Sequence, residues 1–533
     1  MGTVECPAQC PMREAKSDGR QPFNSLRDSF FSAIIGRMSD YRPTIGLEVH
    51  AELKTRTKMF CDSLNDPDET RPNVNVCPVC MGHPGTLPVP NKAAIAHVVK
   101  VGIAIGAIPS ARTHFDRKNY FYPDLPKAYQ ITQNGEPLVV GGMLHGVHVN
   151  HIHLEEDAGK LVHDERGEGK GSAAGDTLVD YNRAGVPLME LVTEPDLHSA
   201  EDAIAFMKEL QLVLRYLGVS DADLERGQMR ADANISLAKD GAPLGVRAEV
   251  KNLNSFNSVF QAINYEIARQ TALLEKGERI MQETRGWDDA AQKTVSQRSK
   301  EEAQDYRYFP EPDIPPFETA TLDLEAIRAS IPELPAAKRA RFMQEYALDL
   351  KAADTMAGEP AMAAYFEAAV SEYRAEAPAG AEASPATIYN YLTSDLRGLM
   401  KQRGVEFSDH ATGGGTDAHT AFRVTPEHLA HLASLIDADK ITSRQAKDML
   451  ATMFATGEDP EAIVEKEGIG ISDAGEVEET VKAMIAEHPA AVEDYRKGKT
   501  ASIQFLIGKA MGRLKGRARP DMLKELFERH LSQ

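Results

Sequence analysis

Three short stretches of this chain alternate apolar and polar residues, and their polar members are types that hold metals and phosphates. Residues 45–53 set Ile45, Leu47, Val49, Ala51 and Leu53 against Glu48, His50 and Glu52. Residues 229–237 set Met229, Ala231, Ala233, Ile235 and Leu237 against Arg230, Asp232, Asn234 and Ser236. Residues 246–251 set Val246, Ala248 and Val250 against Arg247, Glu249 and Lys251. A period of two puts each set on one face of a strand. An antiparallel sheet with one solvated face gives the same alternation. The residue choice argues for more, because Glu, His, Asp, Asn and Lys recur on the polar side. Carboxylates bind hard divalent cations, and Arg and Lys bind phosphate.

Glu190 stands apart as the only charge in the apolar run 187–192. A buried carboxylate must be paired or must bind a metal, and Arg183 is a candidate partner. Near residues 147–156 the alternation slips: Val147 and Val149 are odd, Ile152 and Leu154 even, which predicts a β-bulge. The slip leaves open whether Glu155 or Glu156 faces the site. His145, His148, His151 and His153 read as exposed strand histidines. Cys61 with Cys77-Pro-Val-Cys80 suggests part of a zinc knuckle. Ser63 stands where a fourth cysteine would complete it, and His83 is the other candidate. Gly169-Lys170 lacks the flanking residues of a phosphate-binding P-loop, so any nucleotide binds by another scheme.

The elements that must position these residues change character along the chain. Residues 39–330 read as short strands separated by Gly, Pro and Asn turns, with hairpin signals at Asn134-Gly135 and Asp240-Gly241. One amphipathic helix, 200–217, interrupts them. Residues 167–175 read as a glycine-rich loop, and residues 413–415 as a linker. From Pro335 onward the pattern is helical, giving a helical domain over 331–465 and a basic tail over 466–533. Residues 496–533 hold ten Lys/Arg against three Asp/Glu, in a chain of net charge −20. That contrast suggests a nucleic-acid handle on an otherwise repelling surface.

Composition bounds the rest. With 533 residues, 42% hydrophobic and 26% charged, the chain is globular and multidomain. No apolar run is long enough to cross a membrane. Five cysteines exclude a disulfide scaffold, and acidic residues near the N-terminus argue against a signal or transit peptide. A cytoplasmic location is expected. Residues 1–38 read as an extension or a misassigned start.

Taken together, the motifs resemble the B-subunits of the aspartyl/glutamyl-tRNA(Asn/Gln) amidotransferases. The resemblance rests on Ile45-Gly-Leu-Glu-Val-His50, Lys58-Met-Phe-Cys61, the 115–127 run Phe-Asp-Arg-Lys-Asn-Tyr-Phe-Tyr-Pro-Asp-Leu-Pro-Lys, and His153-Leu-Glu-Glu-Asp-Ala-Gly-Lys160. It continues through residues 180–196, Arg230-Ala-Asp-Ala-Asn-Ile-Ser236, Lys251-Asn-Leu-Asn-Ser-Phe256 and residues 305–313.

The resemblance implies an α+β fold. An antiparallel-sheet, cradle-shaped catalytic domain precedes an all-α domain and a YqeY-like helical tail, the YqeY-like region spanning about 385–533. It implies amidation of misacylated Glu-tRNA(Gln) or Asp-tRNA(Asn), a ligase reaction that needs ATP and Mg2+ and passes through an acyl phosphate. Ammonia comes from a partner glutaminase, the A-subunit, and a small C-subunit completes the heterotrimer. It implies a Mg2+ site at His50, Glu156 and Glu190, with Glu48 and Asp232 beside it. Lys251 and Arg230, on the same polar face, are expected to contact phosphate. Because Ser63 replaces a family cysteine, zinc at Cys61, Cys77 and Cys80 is expected to be absent or weakly held. The alternative is a non-catalytic tRNA-binding scaffold.

Overall fold

The structure is a computed structural model; it describes residues 40–164, 176–299, 306–376, 385–407, 423–470, 474–514 and 517–531. The N-terminal extension, the 167–175 loop and the 413–415 linker lie outside these residues. The chain divides into two compact units, Met1–Pro332 and Glu333–Gln533.

The first unit is built on one large sheet. Its longer strands are β1 (Tyr41–Glu52), β4 (Val147–Glu156), β5 (Pro187–Thr193), β6 (Met229–Lys239), β7 (Ala248–Leu253), β8 (Glu283–Asp288) and β9 (Lys293–Ser299). Two others, β2 (Asp116–Asn119) and β3 (Tyr129–Thr132), form a separate small sheet with β10 (Arg307–Pro310). The large sheet runs β9-β8-β7-β6-β1-β5-β4 and ends in two short strands, Val139–Val140 and Ile108–Pro109. Its neighbours are antiparallel except β7 and β8, which run parallel. The apolar members of β1 and β6, from Ile45 to Leu53 and Met229 to Ile235, are all buried, as the alternation requires. Helix α1 (Lys92–Ala104) packs on β4, α3 (Phe256–Glu275) packs on β6, and α2 (Ala200–Tyr216) packs on α3. Ser199 caps α2 by accepting the Asp202 N–H. Phe206, Met207 and Leu210 of α2, with Val259, Ala262 and Ile263 of α3, are buried in the core.

The predicted bulge is present. Val192 of β5 pairs with His151, and Thr193 pairs with Val149, so Asn150 is the extra residue. Of the two hairpin signals, Asp240-Gly241 does turn β6 into β7. Asn134-Gly135 does not join paired strands; its N–H groups are held by Asp116 Oδ2 at 2.8 and 3.2 Å.

The second unit is helical throughout its described residues, with two apolar clusters. One gathers Phe342, Phe366, Leu429, Leu450 and Ile463; the other gathers Val477, Val481, Leu506, Leu523 and Phe527.

Candidate active site

Register brings the chemistry together. In the β1–β6 pair, Glu48 faces Asp232 and His50 faces Arg230. In the β1–β5 pair, His50 faces Glu190; in the β5–β4 pair, Glu190 faces His153. Directly opposed residues share a face. One polar face therefore carries Glu48, His50, Asp232, Arg230, Glu190 and His153.

His50 Nε2 lies 3.1 Å from Glu190 Oε2 and 3.9 Å from Glu155 Oε1. His153 Nε2 lies 3.3 Å from the same Glu190 oxygen and 3.7 Å from Glu155 Oε2. Glu190 is thus paired with two imidazoles, not with Arg183, whose guanidinium turns to Asp157 and the carbonyls of Ala158 and Gly159. Burial disfavours the His50 cation, but the Glu190 carboxylate outweighs it and holds the imidazole above its ordinary value. Burial also opposes the His153 cation, yet hydrogen bonds to Glu155 and Glu190 push it up to about 10. For Glu190, burial alone would raise the pKa; the two imidazoles hold it well below the usual carboxylate range.

The geometry gathers a different set of candidate metal ligands from the expected His50, Glu156 and Glu190. His50, Glu155 and Glu190 offer ligand atoms all within 4.8 Å of one another. Glu156 is not among them. Its Oε2 meets Lys127 Nζ at 2.5 Å, and its Oε1 accepts the Ile131 N–H at 2.9 Å, on the other side of β4. The bulge is the cause: after Asn150 the even residues Ile152 and Leu154 face inward, so odd Glu155 joins His153 on the polar face and even Glu156 leaves it. Two carboxylates and an imidazole that gives up its proton on binding fit a divalent cation. His153 Nδ1 is buried without a hydrogen-bond partner, so the corner carries polar capacity beyond its internal pairs.

A second acidic group lies on the same face. Glu48, Asp232 and Glu249 converge within 4.8 Å, and Lys251 Nζ bridges Asp232 at 2.5 Å and Glu249 at 2.9 Å. Asn234 donates to Glu48 Oε1 at 3.0 Å. Burial, then the Glu190 and Glu249 charges, raise the Glu48 pKa. Arg230 Nη2 sits 2.8 Å from Asp157 Oδ2, so both predicted phosphate contacts already hold carboxylates, Arg230 the buried Asp157 and Lys251 the half-buried Asp232 and Glu249. Burial, then Asp157, push the adjacent Glu52 up to about 8.

Cys61, Cys77 and Cys80 also converge within 4.8 Å. Their neighbour is Lys58, fully buried, with Nζ 4.0 Å from Cys80 Sγ and 3.2 Å from the Tyr181 carbonyl. Ser63 Oγ lies 3.9 Å from Cys80. The Cys61 thiol bonded to it lowers Cys80 most; burial opposes, and the Cys77 N–H and Lys58 ammonium lower it further, to about 4. Three sulfurs leave a tetrahedral zinc one ligand short, and an ammonium in their midst repels a cation. Among the described residues His83 does not join this group. The set does not fit a closed zinc site.

Comparison with known proteins identifies the family. Residues 43–324 match the GatB/GatE catalytic domain, and residues 365–531 match the GatB domain. The aspartyl/glutamyl-tRNA(Asn/Gln) amidotransferase B-subunit of Thermus thermophilus is 44% identical over 492 residues, 91% of this chain and 98% of its own. The B-subunit of Thermomicrobium roseum is 45% identical over 506 residues, 93% of this chain and 99% of its own. This chain belongs to the amidotransferase B-subunit family. It is one component of a carbon–nitrogen ligase.

Within the family frame, two residues of the site carry roles that sequence reasoning did not give them. His153 is buried in the corner, not exposed on a strand. Lys118, inside the 115–127 motif, faces Glu155 and Glu190 electrostatically: burial opposes its charge, and these carboxylates raise its pKa nonetheless. Its Nζ lies 4.7 Å from the Tyr306 ring centroid. The His153 signal was its position two residues before Glu155. For Lys118, alternation says nothing, because β2 belongs to another sheet.

In the tail, many cations are already paired: Arg513 with Glu487, Arg517 with Glu476 and Arg519 with Asp439. Lys509 instead lies 5.5 Å from the ring of Phe505, which is half exposed. A basic residue beside an exposed ring is a pairing that suits RNA.

Proposed function

We propose that this chain performs the ATP-dependent amidation of misacylated Glu-tRNA(Gln) and Asp-tRNA(Asn) in the cytoplasm. The observation that carries the reading is the convergence of His50, Glu155 and Glu190 beside Glu48, Asp232 and Lys251, in a chain of this family. A carboxylate does not react with ammonia directly, because hydroxide leaves poorly. Phosphorylation solves this: a carboxylate oxygen of the aminoacyl group attacks the γ-phosphorus, and the bond to ADP breaks. Ammonia then adds its lone pair to the acyl carbon, phosphate leaves, and a proton is lost to a nearby base.

His50, Glu155 and Glu190 would hold a Mg2+ ion, which when bound would supply positive charge to neutralise the phosphates. Lys251 and Arg230 supply positive charge along the same face. Glu48 and Asp232 stand where protons are accepted. His153 and Lys118 fix the orientation and charge of Glu190 and Glu155. The ammonia source is a glutaminase A-subunit, with a small C-subunit completing the heterotrimer. Exposed Leu87, Val89, Phe121 and Tyr122 support a docked partner for the sheet unit. Among the described residues no helix is long and apolar enough to cross a membrane.

The test is direct. The chain is combined with its glutaminase partner, misacylated tRNA, ATP and glutamine, and amidated aminoacyl-tRNA is measured. Tight tRNA binding without ATP-dependent product would leave only a scaffold.

A further inference from the structure

The cysteine group does not fit a closed zinc site, because Ser63 breaks the four-thiol pattern and Lys58 sits among the sulfurs. Its thiols are placed for different chemistry. We infer that Cys80 and Cys61 form a peroxide-reactive thiol pair, Cys80 the attacking sulfur and Cys61 the resolving one, whose disulfide slows the reaction at the Glu190 corner. The thiol chemistry stands without the ATP-dependent reading above; the effect on turnover rests on it.

Its surroundings single out Cys80. The Cys77 N–H donates to Cys80 Sγ at 3.1 Å, the Lys58 ammonium lies 4.0 Å away and Ser63 Oγ 3.9 Å away. Lys58 is fully buried, so its charge acts on the sulfur with little screening. A backbone N–H and a cation favour the thiolate, which is the reactive form. The hydrogen bond with Cys80, and then burial, keep the proton on Cys61. A stabilised thiolate beside a protonated second thiol is the arrangement of peroxide-sensing cysteines. Disulfides of cytosolic proteins are mostly of this transient kind.

The oxidant has a way in. Cys61 and Cys80 line a cavity of about 60 Å³ together with His83, Lys127 and Glu156. A cavity needs only about 10–15 Å³ to admit one water, so hydrogen peroxide fits. Cys77 is not among the lining residues, which leaves Cys61 as the second thiol in reach. The Cys80 thiolate attacks one peroxide oxygen. An S–O bond forms, the O–O bond breaks, and the displaced hydroxide takes a proton from solvent. Cys61 then attacks the Cys80 sulfur. The S–S bond forms, the S–O bond breaks, and hydroxide departs as water with the Cys61 proton. Two electrons pass from the sulfurs to the peroxide, and a dithiol reductant returns them.

The pair touches the turn that feeds β5. The Met59 N–H donates to the Gly185 carbonyl at 2.7 Å, and Lys58 Nζ donates to the Tyr181 carbonyl at 3.2 Å. Gly185 has a φ of +86°, and a Cβ there would lie 3.5 Å from Cys80 Cβ and 3.9 Å from Glu156 Oε2. Two residues later β5 begins, and it carries Glu190. Disulfide formation takes the thiolate away from a buried ammonium. A buried charge that loses its partner is strongly unfavourable, so Lys58 shifts and with it the 181–186 turn that leads into β5.

The test treats the reduced, chelator-washed full chain with hydrogen peroxide and maps its peptides by mass spectrometry without reductant. A Cys61–Cys80 link is expected, and dithiothreitol reverses it. With dimedone present, Cys61→Ser carries the sulfenic-acid adduct on Cys80, whereas Cys80→Ser forms no link and leaves Cys61 unmodified. Circular dichroism of both variants matches wild type. Neither link nor adduct, at peroxide levels that fully oxidise a free thiol, overturns the pair; so does a link from Cys80 to Cys77 in place of Cys61. In the assembled amidotransferase, peroxide lowers wild-type turnover several-fold, dithiothreitol restores it, and Cys80→Ser keeps its own untreated rate. A loss that Cys80→Ser shares, or undiminished turnover of the fully linked enzyme, overturns the effect on the corner. Absence of amidation by the untreated, reduced enzyme would defeat the functional reading instead, and the thiol mapping separates the two failures.

Discussion

Glu155 and Glu156 are adjacent in the chain and serve opposite sides of the sheet. Glu155 accepts the Thr132 hydroxyl at 3.0 Å and approaches His50 and His153; Glu156 is clamped by Lys127 and the Ile131 N–H. Substituting each by glutamine separates their roles. Glu155→Gln weakens divalent-cation binding by an order of magnitude or more, because it removes an anionic ligand. Glu156→Gln leaves that affinity within about twofold, since its side chain lies outside the cluster. Isothermal titration with Mg2+ or Mn2+ reads both; the reverse ranking would restore Glu156 to the metal set.

Glu52 gives the sheet unit a pH signature. Its pKa is about 8 in the fold, against an ordinary carboxylate value of 4.5. The folded state therefore holds its proton more tightly than the unfolded chain does. The resulting stability is complete below about pH 4.5 and is lost as pH rises through 8. Trp287, the only tryptophan, lies in β8 and reports the unfolding of this unit. The denaturation midpoint followed by its fluorescence falls from pH 5 to pH 8, and Glu52→Gln flattens that fall. An unchanged slope in the variant would assign the loss to other groups.

The cysteine group predicts weak zinc. Elemental analysis of the purified protein is expected to find well under one zinc per chain. Ser63→Cys supplies a fourth thiolate 3.9 Å from Cys80 at the present hydroxyl position and raises the occupancy. One tightly held zinc per wild-type chain would show that the Lys58 ammonium does not exclude the metal.

Binding of tRNA is predicted to depend on Lys509 and Phe505. Removing the tail beyond Tyr495 is a poor test, because Ile503, Leu506, Leu523 and Phe527 complete the second helical core. Lys509→Glu and Phe505→Ala change surface groups instead. Each raises the Kd for tRNA several-fold, and Lys509→Glu reduces the salt dependence by about one phosphate contact. Unaltered affinity in both would place the handle elsewhere in the chain.

Much of the sheet's chemistry was legible because β1 and β6 obey a period of two without interruption, so Glu48, His50, Arg230 and Asp232 could be put on one face from sequence alone. β4 resisted because of the bulge at Asn150. There the inward Ile152 and Leu154 leave Glu155 on the polar side, whereas the family resemblance points to Glu156. The partners of Glu190 were hidden for a different reason. Only cross-strand register puts two histidines from separate strands against it, and register is not written in either strand by itself. The parallel pairing of β7 with β8 goes with the helical crossover α3 between them, and the sequence pattern predicts a single helix, 200–217, in this region.

We propose that the corner around Glu190 drives ATP-dependent amidation. It is tested most directly by the turnover of Glu190→Gln in the assembled amidotransferase with misacylated tRNA, ATP and glutamine. Loss of one negative ligand and of both imidazole pairs predicts a fall in kcat of about a hundredfold or more, with the fold intact by circular dichroism. Turnover near the wild-type rate would contradict the account.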